Sequence, residues 1–343
     1  MRALRLLEWG GTPILGEHPD PVAGPDEVLM HVQACGIGRT VLNCIRGDLG
    51  AEPGNLPRVP GHEVVGTVVD CGAGVSRSRL GELVTAYFYL HCDRCGPCVR
   101  GAQSRCENFS GYVGVDRDGG YAELVALPSR NAIALPGSVD PVEATVVPDA
   151  VATPVHVARR AGIQPGQRVA VVAAGGGVGA HMVQVARLYG GRVVGLEANE
   201  QKLRYLESEL GFDVMDSSDF ASVRLPRAWH DKADVVVDLL GSTTSLRWSL
   251  DALDTGGRLV TVTTFRDVDT VVSSRELVLG EKAMIGSRYC GKGELLQAGA
   301  LLARGDVRAV IGRRVALDGV EEVHDLLRRG ELVGRGAVVM ADG

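Results

Sequence analysis

The sequence contains no run of apolar residues that approaches the roughly 20 needed to cross a membrane. Its first residues, Met1 to Gly11, lack the apolar core and the small-residue cleavage site of a signal peptide. Aromatic residues make up only 4% of the chain, and the net charge is −6 without any cluster of basic residues. These absences argue against membrane, secreted and nucleic-acid-binding proteins, so we expect a cytoplasmic protein.

The composition is otherwise that of a globular protein. The chain has 343 residues, of which 45% are hydrophobic and 23% charged. This length is sufficient for two domains, each with its own core. The eight cysteines are expected to stay reduced in the cytoplasm. Any clustered cysteines therefore indicate a metal site rather than disulfides.

One segment has the order of elements that a dinucleotide site requires. A β-branched run ending at Val172 leads into a glycine cluster, and a helical pattern begins at Ala180. A second apolar run, 192–196, ends on the acid Glu197. Glycines let the backbone approach a pyrophosphate, and the helix N-terminus offers free N–H groups to it. The acid can accept hydrogen bonds from a ribose diol, so this segment predicts nucleotide binding.

The wider pattern predicts an α/β protein. Strand-like and helix-like segments alternate from about residue 165 to about residue 285, which is typical of a doubly wound parallel sheet. Residues 1–34 and 111–136 have the pattern of short strands separated by proline and glycine turns. Residues 141–162 have a helix-like pattern.

Four of the cysteines are closely spaced. They follow the pattern C-x2-C-x2-C-x7-C on a segment rich in glycine and proline, and they are Cys92, Cys95, Cys98 and Cys106. Four thiolates at such spacing are typical of a closed tetrahedral zinc site, which contributes to folding rather than to catalysis. Free thiols, disulfides and an iron–sulfur cluster are the alternatives. We predict a structural zinc.

Several motifs, spread over essentially the whole chain, resemble one known family. They are the pattern Gly61-His62-Glu63-x2-Gly66-x5-Gly72-x2-Val75, the four-cysteine segment, the glycine turn of residues 174–179 and the closing segment 333–339. On these motifs the sequence is similar to the medium-chain dehydrogenases/reductases, the superfamily of the zinc-type alcohol dehydrogenases. The resemblance implies a Rossmann domain with a doubly wound parallel sheet, and a GroES-like β-rich catalytic domain that carries the structural zinc lobe.

The resemblance also implies where the domains lie. Residues 1–150 would form the GroES-like catalytic domain, with the zinc lobe at about 88–110. Residues 151–285 would form the Rossmann domain, and residues 286–343 would return to the catalytic domain. Similar proteins are homodimers or homotetramers that act on small-molecule substrates, with no nucleic-acid or membrane partner.

The cofactor site can be carried over residue by residue. The resemblance implies a pyrophosphate turn, a ribose-binding acid with a lysine five positions later, and an arginine that contacts the pyrophosphate. These residues are Gly176, Gly177, Val178, Gly179, Glu197, Lys202 and Arg335. An acid at position 197 repels a 2′-phosphate, so we expect NAD(H) rather than NADP(H). A plain surface role is the alternative for Arg335.

The catalytic zinc site departs from the family pattern. The family holds this zinc with a cysteine, a histidine and a third ligand that is Cys, Asp or Glu, and the matching positions here are Gly38, His62 and Asp149. Glu63 lies beside His62, and Thr40 keeps the hydroxyl that relays the substrate proton in the family. The predicted catalytic set therefore lacks its thiolate.

Three interpretations remain open. In the first, zinc binds through His62, Asp149 and Glu63 with water as the fourth ligand. In the second, Cys35 or Cys44 supplies the missing thiolate. In the third, there is no catalytic zinc, and the three polar residues orient the substrate or transfer protons.

All three interpretations retain hydride transfer, which the nicotinamide cofactor performs. With zinc, the expected reaction is the interconversion of an alcohol with an aldehyde or ketone, because the metal stabilises an alkoxide. Without zinc, the alternative is reduction of a C=C bond conjugated to a carbonyl or thioester, of the enone or enoyl/acryloyl-CoA type. A non-enzymatic nucleotide-binding protein is the third hypothesis.

Overall fold

The structure is a computed structural model, and it describes residues 1–263 and 268–340. It divides into two compact units, one formed by Met1–Ala152 with Cys290–Gly343 and the other by Thr153–Tyr289. No helix among the described residues is both long and apolar enough to span a bilayer.

The first part of unit one is rich in short strands. The longest strand buries every second residue at its start, from Val28 to Ala34, as expected for a strand with one face on a core. The helix after it ends at Gly47, whose φ of 82° suits only the left-handed region that glycine tolerates. The elements in this part are β1 (Arg2–Arg5), β2 (Ile14–Glu17), β3 (Glu27–Ile37), α1 (Arg39–Arg46), β4 (Glu63–Cys71), β5 (Leu83–Ala86), α2 (Gly96–Val99), β6 (Leu124–Pro128), β7 (Ala132–Ala134) and α3 (Pro141–Ala144).

A π-helix (Val147–Val151) follows α3 near the end of the first part of unit one. Its five residues are all buried, and the α-helix α4 (Ala152–Ala161) follows directly. A π-helix holds one more residue per turn than an α-helix does, and such turns occur most often at functional sites.

Unit two contains a six-stranded parallel sheet. Its strand order is β10-β9-β8-β11-β12-β13, with β8, which is buried after its first residue, near the centre and every adjacent pair parallel. This arrangement confirms the predicted doubly wound sheet. After α4, its elements are β8 (Arg168–Val172), α5 (Gly179–Leu188), β9 (Arg192–Glu197), α6 (Glu200–Ser208), β10 (Asp213–Asp216), β11 (Ala233–Asp238), α7 (Thr243–Ala252), β12 (Leu253–Thr261), α8 (Ser274–Gly280) and β13 (Ala283–Gly286).

The chain then returns to unit one. The returning elements are α9 (Lys292–Ala303), β14 (Ile311–Val315), α10 (Val320–Arg328) and β15 (Arg335–Val339). They complete a seven-stranded sheet of order β14-β15-β3-β4-β5-β7, with β6 paired to β3. The predicted β-rich domain is thus built from both ends of the chain.

The register of this sheet brings three strand ends together. β3 is antiparallel to β4 with Gly36 opposite Glu63, and antiparallel to β15 with Ile37 opposite Gly336. The C-terminal end of β3 therefore lies between the first residue of β4, Glu63, and the first residue of β15, Arg335. Side chains that are far apart in sequence meet at this edge.

Candidate active site and metal centre

The four predicted zinc ligands converge in unit one. The ligand atoms of Cys92, Cys95, Cys98 and Cys106 all lie within 4.8 Å of one another. The Cys106 sulfur is 3.6 Å from that of Cys92 and 3.8 Å from that of Cys95. Four sulfurs around a tetrahedral zinc, at a Zn–S distance of about 2.3 Å, are separated by about 3.8 Å. The cluster therefore has the dimensions of a zinc–thiolate site.

The electrostatics of the cluster favour a bound cation. Hydrogen bonds to the Cys92 sulfur, above all from the backbone N–H of Arg94, lower the pKa of that thiol to about 6. Burial raises the pKa of Cys98 to about 12. Because a metal ion deprotonates the thiols that coordinate it, a divalent cation lets all four sulfurs carry charge together.

Four of the predicted cofactor residues lie at the β8–α5 turn of unit two. Gly176, Gly177 and Val178 are half-buried in this turn, and Gly179 is the first residue of α5. A Cβ atom at Gly179 would overlap the backbone oxygen of Ala173, so the turn requires glycine there. The helix N-terminus beyond the turn directs its backbone N–H groups outward, as anion-binding helices do.

Glu197 connects the end of β9 to this turn. One carboxylate oxygen accepts a hydrogen bond from the Gly175 N–H at 3.0 Å. The other accepts from the N–H groups of Ala198 and Asn199, at 2.9 and 3.1 Å. Each carboxylate oxygen has two lone pairs, so acceptor capacity is left for a ribose hydroxyl. Lys202, also predicted at this site, is buried in the first turn of α6.

The second site lies at the edge of the seven-stranded sheet in unit one. The Arg335 guanidinium nitrogen Nη2 is 2.6 Å from Glu63 Oε1 and 2.5 Å from Asp149 Oδ2. Arg335 is 3% exposed, Glu63 0% and Asp149 7%, so this is a buried arrangement of one cation with two carboxyl groups. Burial raises the pKa of Glu63 to about 7, although the Arg335 charge opposes this shift.

His62 faces the same two carboxyl groups. Its Nε2 atom is 3.9 Å from Glu63 Oε1 and 3.8 Å from Asp149 Oδ2. Both ring nitrogens are buried without a hydrogen-bond partner among the described residues, and the ring packs against Phe88 at a centroid distance of 4.6 Å. The structure therefore brings His62, Glu63 and Asp149 close together.

These residues do not, as arranged, fit a catalytic zinc. One imidazole and two carboxylates within 4.8 Å of one another are a suitable donor set in kind. However, the two oxygens nearest to His62 Nε2 are the same two that contact Arg335 Nη2. The space beside them is filled by a side chain that is always positively charged. We therefore derive no catalytic step through a metal here.

Arg335 was assigned by resemblance to the pyrophosphate of the cofactor. In the structure its side chain instead lies against the carboxyl groups of Glu63 and Asp149. Burial alone would lower the pKa of the guanidinium, but these two carboxyl groups more than offset that effect and raise it. Contact with pyrophosphate stays a prediction, whereas the contact with the two acids is what the structure describes.

The remaining predicted residues are close in sequence to the end of β3. Thr40 is in the first turn of α1, two residues after Gly38, and is partly exposed. Asn43, one turn further along α1, accepts a hydrogen bond from Arg46. Cys35 and Cys44 are buried free thiols, and burial raises the pKa of each. Thiols of this kind behave as small apolar side chains.

Two glycines complete the site, Gly36 and Gly38, and only Gly38 departs from the family pattern in the sequence. A Cβ atom at Gly36 would overlap the Glu63 carboxylate, and one at Gly38 would overlap Arg335 Nη1. These positions are two residues apart at the end of β3, where alternate residues share a face. In the sequence, glycines at positions 36 and 38 directly follow a strand pattern. Such a pair indicates that other groups approach the backbone closely there, and this could have identified Gly36.

Two family models match the sequence. The model of the alcohol dehydrogenase GroES-like domain matches residues 24–137, and that of the zinc-binding dehydrogenases matches residues 177–304. The chain is 29% identical to an alcohol dehydrogenase of Geobacillus stearothermophilus over 98% of both chains. It is also 29% identical to an acryloyl-coenzyme A reductase of Metallosphaera sedula, covering 93% of this chain and 94% of the relative.

The solved structures agree with these relatives. A cobalt- and zinc-bound thermostable alcohol dehydrogenase from Pyrobaculum aerophilum is 31% identical, covers 99% of both chains and superposes with a TM-score of 0.88. With two family models, full-length relatives and the same fold, the chain belongs to the medium-chain dehydrogenase/reductase superfamily, as an alcohol dehydrogenase-like oxidoreductase.

Proposed function

We propose that the protein is an NAD(H)-dependent oxidoreductase that interconverts a small alcohol with an aldehyde or ketone. The observation that carries the cofactor part of this proposal is the contact between Glu197 and the glycine turn, and similarity to an alcohol dehydrogenase supports the alcohol–carbonyl part. The acid ends β9, and its carboxylate is fixed by three backbone N–H groups beside the start of α5. A negative charge at this position would favour a 2′-hydroxyl over a 2′-phosphate on an adenosine ribose bound beside it.

The cofactor supplies the hydride when it is bound, and the protein binds and orients the reactants. Glycines 176, 177 and 179 would let the pyrophosphate approach the N-terminus of α5. In unit one, the hydroxyl of Thr40 would move the proton that accompanies the hydride. His62, with two unpartnered ring nitrogens, would orient the substrate or transfer a proton as general acid or base.

We also propose a structural zinc at Cys92, Cys95, Cys98 and Cys106, which is supported by the sulfur–sulfur distances of 3.6 and 3.8 Å. This ion would stabilise the loop that carries it and would take no part in hydride transfer. Family resemblance further supports a cytoplasmic homodimer or homotetramer, which light scattering coupled to size-exclusion chromatography would test.

A second candidate is reduction of an activated C=C bond. The observation that favours it is the contact of Arg335 with Glu63 and Asp149, because no metal is then available to stabilise an alkoxide. Hydride would add to the β-carbon of an enone or enoyl thioester, and an acid would protonate the α-carbon. Similarity to an acryloyl-coenzyme A reductase is consistent with this chemistry.

One experiment separates these functions. NADH and NADPH binding would be measured first by fluorescence, and oxidation of the bound cofactor would then be followed with ketones, aldehydes, enones and enoyl thioesters. Turnover of ketones or aldehydes supports the first proposal, and turnover restricted to conjugated alkenes supports the second. Tight NADH binding with no turnover of any compound would identify a non-enzymatic nucleotide-binding protein.

A further inference from the structure

We propose that the guanidinium of Arg335 takes the place of a metal ion between Glu63 and Asp149, so that this site does not bind zinc. The proposal concerns which cation holds the two carboxyl groups, and it goes beyond hydride transfer and cofactor choice. It makes Arg335 a positioning residue for the two acids, and Gly38 the residue that makes room for it.

The first argument is the identity of the atoms in contact. Arg335 Nη2 is 2.5 Å from Asp149 Oδ2 and 2.6 Å from Glu63 Oε1. Those oxygens are the ones that face His62 Nε2, at 3.8 and 3.9 Å. A zinc ion held with His62 would need these same two oxygens at about 2.0–2.2 Å. The guanidinium and a zinc ion therefore compete for the same ligand atoms.

The second argument is steric. Nη1 of Arg335 lies where a Cβ atom of residue 38 would be. A side chain at position 38, including any that could coordinate a metal, would collide with the guanidinium. Loss of the side chain at position 38 and entry of the arginine are therefore two parts of one arrangement.

The third argument is charge balance in a buried place. Two carboxyl groups that are 0% and 7% exposed need a nearby cation, because burying an uncompensated charge is costly. Arg335 supplies it from a fixed position, since its backbone N–H is bonded to Val310 and β15 is paired to β3. The guanidinium stays charged at every pH at which the protein is folded.

The test begins with the metal content of the unmodified protein. The protein would be incubated with excess zinc, desalted and analysed for zinc per chain, and the same preparation would be loaded with Co²⁺ for absorption spectroscopy. We expect one metal ion per chain, with the thiolate-to-cobalt absorption of a four-cysteine site. Two ions per chain, or one ion without thiolate absorption, would overturn the proposal.

The second part uses Arg335→Ala. With the guanidinium gone, it no longer competes with a metal for the Glu63 and Asp149 oxygens beside His62, so we expect the zinc content to rise from one to two per chain and the melting temperature to rise on addition of zinc. Arg168→Ala is the matched control. Arg168 also bridges two acids, Asp234 and Asp254, but without a histidine, and its removal should leave the zinc content at one.

The variant remains informative if it folds poorly. Folding that is recovered by zinc supports the proposal, because the metal then replaces the missing cation. If Arg335→Ala does not fold even with zinc, Gly38→Cys combined with Arg335→Ser restores a thiolate and leaves space for the ion. A folded variant of either kind that still holds only one zinc would refute the proposal. NADH binding by the unmodified protein is measured separately, so a failure of the proposed function is distinguishable.

Discussion

Gly38 and Arg335 lie side by side at the ends of two paired strands. The guanidinium of Arg335 occupies the space that a Cβ atom of residue 38 would take. This contact joins residues from opposite ends of the chain. Through it, the identity of residue 38 decides whether the buried acids Glu63 and Asp149 have a cation beside them.

Gly38→Ala should therefore destabilise the protein well beyond the usual effect of this substitution. The new methyl group overlaps the end of the Arg335 side chain and forces the guanidinium to shift against Glu63 and Asp149, and overpacking of this kind costs about 1–3 kcal/mol. Urea unfolding would measure the change. Gly137→Ala is the control, because a Cβ atom there meets nothing within 4 Å and should alter the free energy of unfolding little.

Cys95→Ser should remove the zinc and destabilise the protein. One of four ligands is lost, and the remaining thiols of the lobe no longer hold the ion tightly. Zinc content after desalting and the urea midpoint would both fall. Cys71→Ser changes a buried free cysteine outside the cluster and should leave the zinc content unchanged. A stable Cys95→Ser protein with its full zinc content would contradict the structural role.

Glu197→Ala should weaken NADH binding by about tenfold or more, since a hydrogen bond to a charged group contributes about 1.5–3 kcal/mol. NADPH binding should change less, because removal of the charge also removes repulsion of the 2′-phosphate. Titration with both cofactors would measure the ratio. Glu197→Gln keeps an acceptor for the Gly175 N–H and separates loss of charge from disturbance of the turn. Equal losses for both cofactors would show that the acid does not contact the ribose.

Low pH should reduce the stability of unit two, because it protonates the Asp234 carboxylate. Hydrogen bonds from Arg168 lower the pKa of this carboxyl group, so the stability it contributes is present above the unfolded-state pKa and is lost as pH falls through the lower, folded value. Asp234→Asn should therefore reduce the fall in melting temperature between neutral pH and about pH 3. Asp318→Asn, which removes an exposed carboxyl group, should leave that fall at the unmodified protein's value.

Features encoded by neighbouring residues could be predicted from the sequence. The four cysteines are spaced so that their loop can close on one ion, and the glycine turn directly follows its strand, so the sulfur cluster and the β8–α5 turn were expected. The alternation of strands and helices likewise predicted the parallel sheet. In each case the physical constraint acts over fewer than about 30 residues, the size of a βαβ unit.

The contact of Arg335 could not be predicted in this way. It depends on the pairing of β15 with β3, which joins residues about 300 positions apart. Nothing near Arg335 indicates that an acid lies opposite, and resemblance alone assigned it to the cofactor. The helix-like pattern of residues 141–162 also did not show that the segment contains a π-helix, because both helices bury one face.

The position of the Asp149 carboxyl group depends on the number of residues in that π-helix, and not only on the side chains that it contacts. The wide turn over Val147–Val151 amounts to one residue more than an α-helix would need. Deleting Ala150 would allow regular α-helical bonding. The wide turn from which the Asp149 carboxyl group contacts Arg335 would then be lost.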